Sequence, residues 1–229
     1  MFDNELIMLD QDRLWVLPYP IRFLSETIFA HMSIIRLDDL SLLLHSPAPI
    51  TPALLDWLSS VGEVKYIVMP NLAHTRYALE AKAAFANARL LGPKRLRSPK
   101  PVLDRILDDE YEMPLPGMLY HPIQGLPIID EIAFYHQSSR TLILTDLLLL
   151  IRAKRFSLKG IVSQMLGIYD KASMSRTMKL LIRDQLSFKQ SIDVIRQWPF
   201  EKIILAHEHC LVDQARHHFD QAFLWLYDF

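Results

Sequence analysis

The sequence predicts an α/β protein, and three observations carry that expectation. Two continuous apolar runs, Leu40–His45 and Val64–Met69, flank a segment with the marks of a helix. Strand–helix–strand is the smallest unit of a parallel sheet. Ile132–His136 and Thr141–Thr145 flank the polar loop Gln137-Ser138-Ser139-Arg140, the pattern of a β-hairpin. A late apolar run, Lys202–Ala206, precedes a helical pattern from about Val212 to Leu226. The expected architecture is a sandwich of two sheets flanked by helices, with Leu40–His45 beside Val64–Met69 and parallel to it.

In chain order, Leu14–Leu17 and Phe29–Arg36 are β-rich apolar runs, and Leu40–His45 suits a strand buried on both faces, stopped by Ser46-Pro47. Thr51 offers a cap, Pro52 suits the first helical position, and apolar residues at 54, 55 and 58 predict a helix that Gly62 ends. A helix is expected at about Tyr77–Asn87 and a short strand at Ala88–Leu91. Gly92–Gly125, with six prolines, reads as an irregular surface excursion. From Leu147 to Gln197 the pattern is helical, with Ser187 as a cap for a helix carrying Phe188, Ile192 and Ile195.

The chain has 229 residues, 51% of them hydrophobic, which is enough for a core without staples. One cysteine, Cys210, excludes an intrachain disulfide and fits a reducing compartment. The formal net charge of −1 gives no overall field to attract nucleic acid or an anionic membrane. The opening MFDNELIMLDQDRLWVL carries acids and no basic region before an apolar stretch, so no secretory signal is expected. Leu142–Ile151 is interrupted by Thr145 and Asp146 and falls short of the ~20 residues that span a bilayer. A cytoplasmic protein without membrane contact is the expectation. No Gly-rich phosphate loop and no G-x-S-x-G elbow is present.

Asn71 with His74, then Asp146, then His207 each follow an apolar strand. Polar groups at neighbouring strand ends can converge on one crevice. Two imidazoles and a carboxylate can hold zinc or a similar divalent ion and leave a position for water. Asp146 and His74 also have ordinary readings, as a helix cap and a loop histidine. His207 and His209 could form an H-x-H metal pair, with His209 a reserve ligand, if the strand runs on and puts both on one face. His31, His45, His121, His136, His217 and His218 read as structural or surface residues. Between Arg152 and Lys189, nine basic residues face two acids, Asp170 and Asp184. A solvated helical face is favoured there over nucleic-acid contact.

The segment VKYIVMPNLAHTRYALEAKAAFANARLLGP resembles the metallo-β-lactamase stretch of strand, T-H-x-H-x-D-H, helix and short strand. AFYHQSSRTLILTDLLL resembles the stretch that ends in that superfamily's bridging aspartate, and SIDVIRQWPFEKIILAHEHCL its late helix, strand and G-H element. The resemblance covers about Leu40 to Leu211. It lies closest to a branch with a reduced metal motif and no assigned function. It implies a four-layer αββα sandwich over residues 1–229, with a helical insertion at about 157–186. His74 falls at the last histidine of the motif; Met69 and Asn71 fall at the two earlier histidines and Ala73 at the aspartate. Asp146 takes the bridging position and His207 the final one. The mid-chain histidine has no clear counterpart, since Leu126 follows Gly125 and His121 only lies nearby. His45-Ser46-Pro47 stands where a D-T-G turn is usual.

The resemblance therefore implies a metal set of His74, Asp146 and His207, with Asp146 and His74 catalytic and Asn71 contacting substrate at the pocket edge. It allows one zinc or other divalent ion, or none. The implied activity is hydrolysis of an ester, thioester, lactone or phosphoester. The alternative is a non-catalytic descendant that binds a small molecule or partner, and a weaker third is association with nucleic acid.

Overall fold

The computed structural model describes residues 6–23, 26–96, 102–108 and 115–227. Residues 1–5 and parts of the predicted Gly92–Gly125 excursion lie outside that range. Seven strands form the first sheet in chain order: β1 (Ile7–Asp10), β2 (Leu14–Phe23), β3 (Glu26–Arg36), β4 (Leu42–His45), β5 (Val64–Val68), β6 (Arg89–Gly92) and β7 (Arg105–Ile106). The pairing is antiparallel from β1 to β4, where short turns suffice. It is parallel from β4 to β7, where crossovers are required. Helix α1 (Pro52–Val61) makes the crossover from β4 to β5, and α2 (Ala78–Ala84) the one from β5 to β6.

Thr51 caps α1 by accepting the Leu54 N–H, Pro52 fills the first turn, and the helix stops at Gly62. Such a cap contributes about 1 kcal/mol. Leu54 and Leu58 are fully buried, each contributing roughly 1.5–3 kcal/mol, so the apolar face rather than the cap fixes this helix. Strand β4 is buried throughout, as a continuous apolar run requires. It begins at Leu42, because Leu40 turns the chain at φ 64° and lies exposed.

The second sheet has the order β12-β11-β10-β9-β8. Its strands are β8 (Met118–Pro122), β9 (Ile132–His136), β10 (Thr141–Ile143), β11 (Lys202–Ile204) and β12 (Cys210–Leu211). Strands β9 and β10 form the predicted hairpin, and β10 and β11 are parallel. The crossover between that parallel pair contains α3 (Leu158–Leu166), α4 (Arg176–Leu180) and α5 (Gln185–Gln197). Helix α6 (Ala215–Phe223) closes the described chain with a 3-10 turn, Leu224–Leu226.

Three apolar cores stack through the molecule. Leu14, Ile35, Leu43, Val68, Phe134, Ile143 and Ile204 fill the space between the sheets. Leu54, Leu58, Ala78 and Ala81 pack α1 and α2 on the outer face of the first sheet. Phe188, Ile192, Phe219 and Phe223 pack α5 and α6 on the outer face of the second. The result is four layers, helix–sheet–sheet–helix.

Three expectations are corrected. Gly92–Gly125 is not only surface: β8 pairs with β9 along its length, and Leu107, Leu115 and Ile123 are buried. Prolines there sit at positions such as Pro122, the last residue of a strand at the sheet edge, where a missing N–H is tolerated. Leu147–Phe156 is not helical. It bends at 147–148, bridges Leu149 to Ser173 and Ile151 to Tyr169, and turns at 155–156. A continuous apolar run does not distinguish the two states by period. Finally, Asp184 caps α5 by accepting the Ser187 N–H, so Ser187 lies inside the first turn.

Candidate metal centre

The strands that carry the chemistry end on one side of the sandwich. The chain leaves β4 at Ser46, β5 at Asn71 and His74, β10 at Thr145 and Asp146, and β11 at His207. Two backbone bonds join the sheets there: His31 donates to the Ala206 carbonyl at 2.8 Å, and Glu208 donates to the Phe29 carbonyl at 2.9 Å. This seam brings His207 of one sheet against His74 of the other, with ring centres 5.3 Å apart.

Asp146 lies between them. His74 Nε2 is 3.4 Å from Asp146 Oδ2, and His207 Nε2 is 3.5 Å from Asp146 Oδ1. One ligand atom from each residue lies within 4.8 Å of the others. Ligands held ~2.1 Å from a tetrahedral ion stand about 3.4 Å apart, close to these two spacings, although the histidines face different oxygens of the carboxylate. No helix follows Asp146, so capping is not its role.

The orientation of His74 is fixed from behind. Its Nδ1 is 2.8 Å from Ser46 Oγ, and its backbone N–H donates to Asn71 Oδ1 at 2.8 Å. With Nδ1 turned to the serine, Nε2 is the ring atom that faces Asp146. His207 has no equivalent support: its Nδ1 is buried without a partner. A buried ring nitrogen without a partner is uncommon, and it leaves Nε2 as this histidine's working atom.

Asn71 is not at the pocket edge. It is fully buried beneath the trio. Its Nδ2 donates to Asp146 Oδ2 at 2.8 Å and to Thr145 Oγ1 at 2.9 Å, and it lies 3.4 Å from Glu131 Oε2. Its Oδ1 accepts from Ala73 and His74. The expected place at the pocket edge is corrected: Asn71 lies buried, bonded to protein groups.

Glu131 was not anticipated from the sequence. This buried carboxylate accepts the backbone N–H groups of Thr145, Asp146 and Leu147 at 2.8, 2.8 and 3.0 Å. Burial and the nearby Asp146 charge push its carboxyl up to about 7, against the donors that favour its ionised form. Burial also works to raise Asp146, but His74 and His207 overcome it and hold the group far below the usual carboxylate range. Burial works to lower His74, and the charge of Asp146 reverses that and raises it. The only sequence signal for Glu131 is an acid lodged in the apolar stretch IIDEIAFY.

Two cavities meet at the trio. One, of about 240 Å3, is lined by Tyr19, Arg22, Ser46, His74, Arg76, Asp146 and His207, among others. The other, of about 330 Å3, also reaches Asp146 and His207 but is walled mainly by aliphatic side chains.

No family model matches the sequence, and no curated protein matches it. Solved structures do. A metallo-β-lactamase from Pontibacter korlensis superposes with a TM-score of 0.68 at 13% identity, over 99% of this chain and 100% of that one. The chain has the metallo-β-lactamase fold. The metallo-β-lactamase FIM-1 from Pseudomonas aeruginosa, in its mono-zinc form, gives 0.65 at 13% identity over 99% and 96%. The metal-soaked Flv1 flavodiiron core from Synechocystis sp. PCC6803 gives 0.66 at 14% identity over 98% of this chain and 61% of that one.

Within the metallo-β-lactamase fold, Met69 is fully buried and Asn71 is saturated by protein atoms. Neither is placed as a ligand. His121 lies on β8 opposite Ala133 and outside the cluster. His209, the reserve ligand, is also outside it. Glu208 adopts φ 64°, which ends the strand alternation that would have aligned His209 with His207. Among the nine basic residues of 152–189, Arg152 pairs with Asp170 inside the stretch, while Lys159 pairs with Glu208 and Lys189 with Asp193, acids outside it that balance part of the face. No described helix is long and apolar enough to cross a membrane.

Proposed function

We propose that this chain is a hydrolase that works with at most one divalent metal ion. The observation that carries the reading is the trio itself. Two imidazoles and a carboxylate from three strand ends lie within 4.8 Å and border a cavity. His74 Nε2, Asp146 and His207 Nε2 would hold the ion. Bound there, zinc or a similar ion lowers the pKa of water and polarises the scissile bond.

The chain's own residues do the rest. Ser46 and Asn71 fix the direction of His74. Asp146 Oδ2 is engaged by Asn71, while Oδ1 remains the freer oxygen, placed to accept a hydrogen bond from an attacking water. Arg22 and Arg76 border the same cavity and offer guanidinium groups to a polar or anionic part of a substrate. In hydrolysis of an ester or thioester, the water oxygen bonds to the acyl carbon. The C–O or C–S bond breaks, and the water proton ends on the leaving group.

A second reading is favoured by Asn71. Its saturation leaves the neighbouring ion position of the fold without a ligand, as expected of a descendant that binds a small molecule without turning it over. Elemental analysis separates the two. The hydrolase reading expects about one zinc or manganese per chain after purification without chelators, lost in Asp146→Ala. No uptake after added zinc or manganese would leave the binding reading.

A further inference from the structure

The cavity of about 330 Å3 differs in kind from the one beside it. Its wall includes Ile28, Leu149, Ile151, Val162, Leu166 and Ile168, and no Phe, Tyr or Trp lines it. Three of the polar residues in the wall have partners, and Thr177 adds one further hydroxyl-bearing side chain. Ser163 Oγ donates to the Lys159 carbonyl at 2.6 Å, and Ser175 Oγ accepts the Met178 N–H at 3.2 Å. The Lys159 ammonium pairs with Glu208 at 2.9 Å, and both side chains are largely covered. These groups therefore give a polar ligand little to recognise along the wall. The polar end is where Asp146 and His207 enter.

We infer that this cavity receives the unbranched aliphatic chain of an acyl ester or thioester, its carbonyl at Asp146 and His207; this rests on the hydrolase reading. Shape and size argue for it. An apolar protein cavity of about 150 Å3 accommodates a six-carbon ring, so 330 Å3 has room for roughly twice as many carbons. An aliphatic wall without ring faces suits a flexible hydrocarbon rather than a stacked base or an aromatic acid. Helix α3 supplies Val162 and Leu166, and Ser163 through its covered face. The crossover between β10 and β11 thus forms one side of the chain-binding space.

Binding is tested apart from turnover. Linear primary amides from butanamide to nonanamide are neutral, and serve as non-ester probes in calorimetric titrations of the purified chain. Affinity is expected to rise roughly fourfold per methylene until the cavity is filled. Val162→Trp, which fills the space, should weaken octanamide by tenfold or more while leaving butanamide little changed. Leu149→Trp repeats the test from the opposite wall in case Val162→Trp fails to fold. Affinity independent of chain length, or octanamide binding unchanged in a folded tryptophan variant, overturns the inference. Zinc-supplemented protein is then assayed with 4-nitrophenyl butyrate and octanoate. Chain-dependent amide binding without ester turnover sustains the acyl cavity and removes the hydrolase reading; turnover that ignores chain length does the reverse.

Discussion

His74 and His207 stand at nearly equal distances from Asp146, 3.4 and 3.5 Å, yet the chain treats them differently. His74 is held from two sides by Ser46 and Asn71. His207 is held through its backbone, by the seam between the sheets, and its Nδ1 has no partner. The first ligand is positioned by side-chain chemistry and the second by fold geometry. The difference matters because hydrogen bonds behind a ligand tune its basicity as well as its direction, whereas backbone placement tunes direction alone.

Removing the residue that both arms share should have the largest effect. Asp146→Ala is expected to reduce bound metal from about one equivalent to under a tenth, read by elemental analysis. Substantial retention would mean that the arms bind without their common carboxylate, and the comparison would fail. Next in size is Asn71→Leu, which strips the His74 arm. It orphans the N–H groups of Ala73 and His74 and takes a donor from Asp146, at ~1–3 kcal/mol for each group. A loss of about 3 kcal/mol should lower Tm by roughly 6–12 °C in calorimetry. A shift below 2 °C would show that this arm is not held as described.

Ser46→Ala sharpens the contrast, since it removes the bond behind His74 together with a bond to Tyr19 outside the trio. Zinc affinity should fall about tenfold, equivalent to ~1.4 kcal/mol, with little change in Tm. No change in a competition titration with a fluorescent chelator would make the two histidines equivalent. The smallest effect concerns the buried rings below each arm. Burial lowers His45 to about 3, and burial lowers His31 to about 4. The unfolded chain takes up these protons near pH 6.5 while the folded chain does not, so falling pH favours unfolding between those limits. His45 should contribute a loss of about 1 kcal/mol between pH 7 and pH 5.5. In urea titrations, His45→Leu should lessen the wild-type loss over this interval by that amount. An unchanged slope would show that the ring is not held neutral.

Much of this was legible in the sequence because short parallel strands announce themselves. Continuous apolar runs located β4, β5, β10 and β11, and polar residues after the last three runs are those of the trio. Glu131 was not legible, because its partners are N–H groups 14 to 16 residues away and belong to no period. The apolar cavity was hidden for a related reason. Its wall takes scattered residues from β2, β3, the stretch at Leu149 and Ile151, and α3. That stretch had itself been read as helix, because four consecutive leucines carry no period that distinguishes the two states. The failure of His209 as a reserve ligand turned on one backbone angle at Glu208, a type of residue that rarely adopts it.

Asn71 also bears on how this chain can change over generations. By resemblance it occupies a position where the metallo-β-lactamase motif has a histidine. Asn71→His would put two ring nitrogens where five polar neighbours are now served by one amide. The new ring would abandon the N–H groups of Ala73 and His74, and so disturb the placement of His74. What position 71 tolerates is set by the loop it holds.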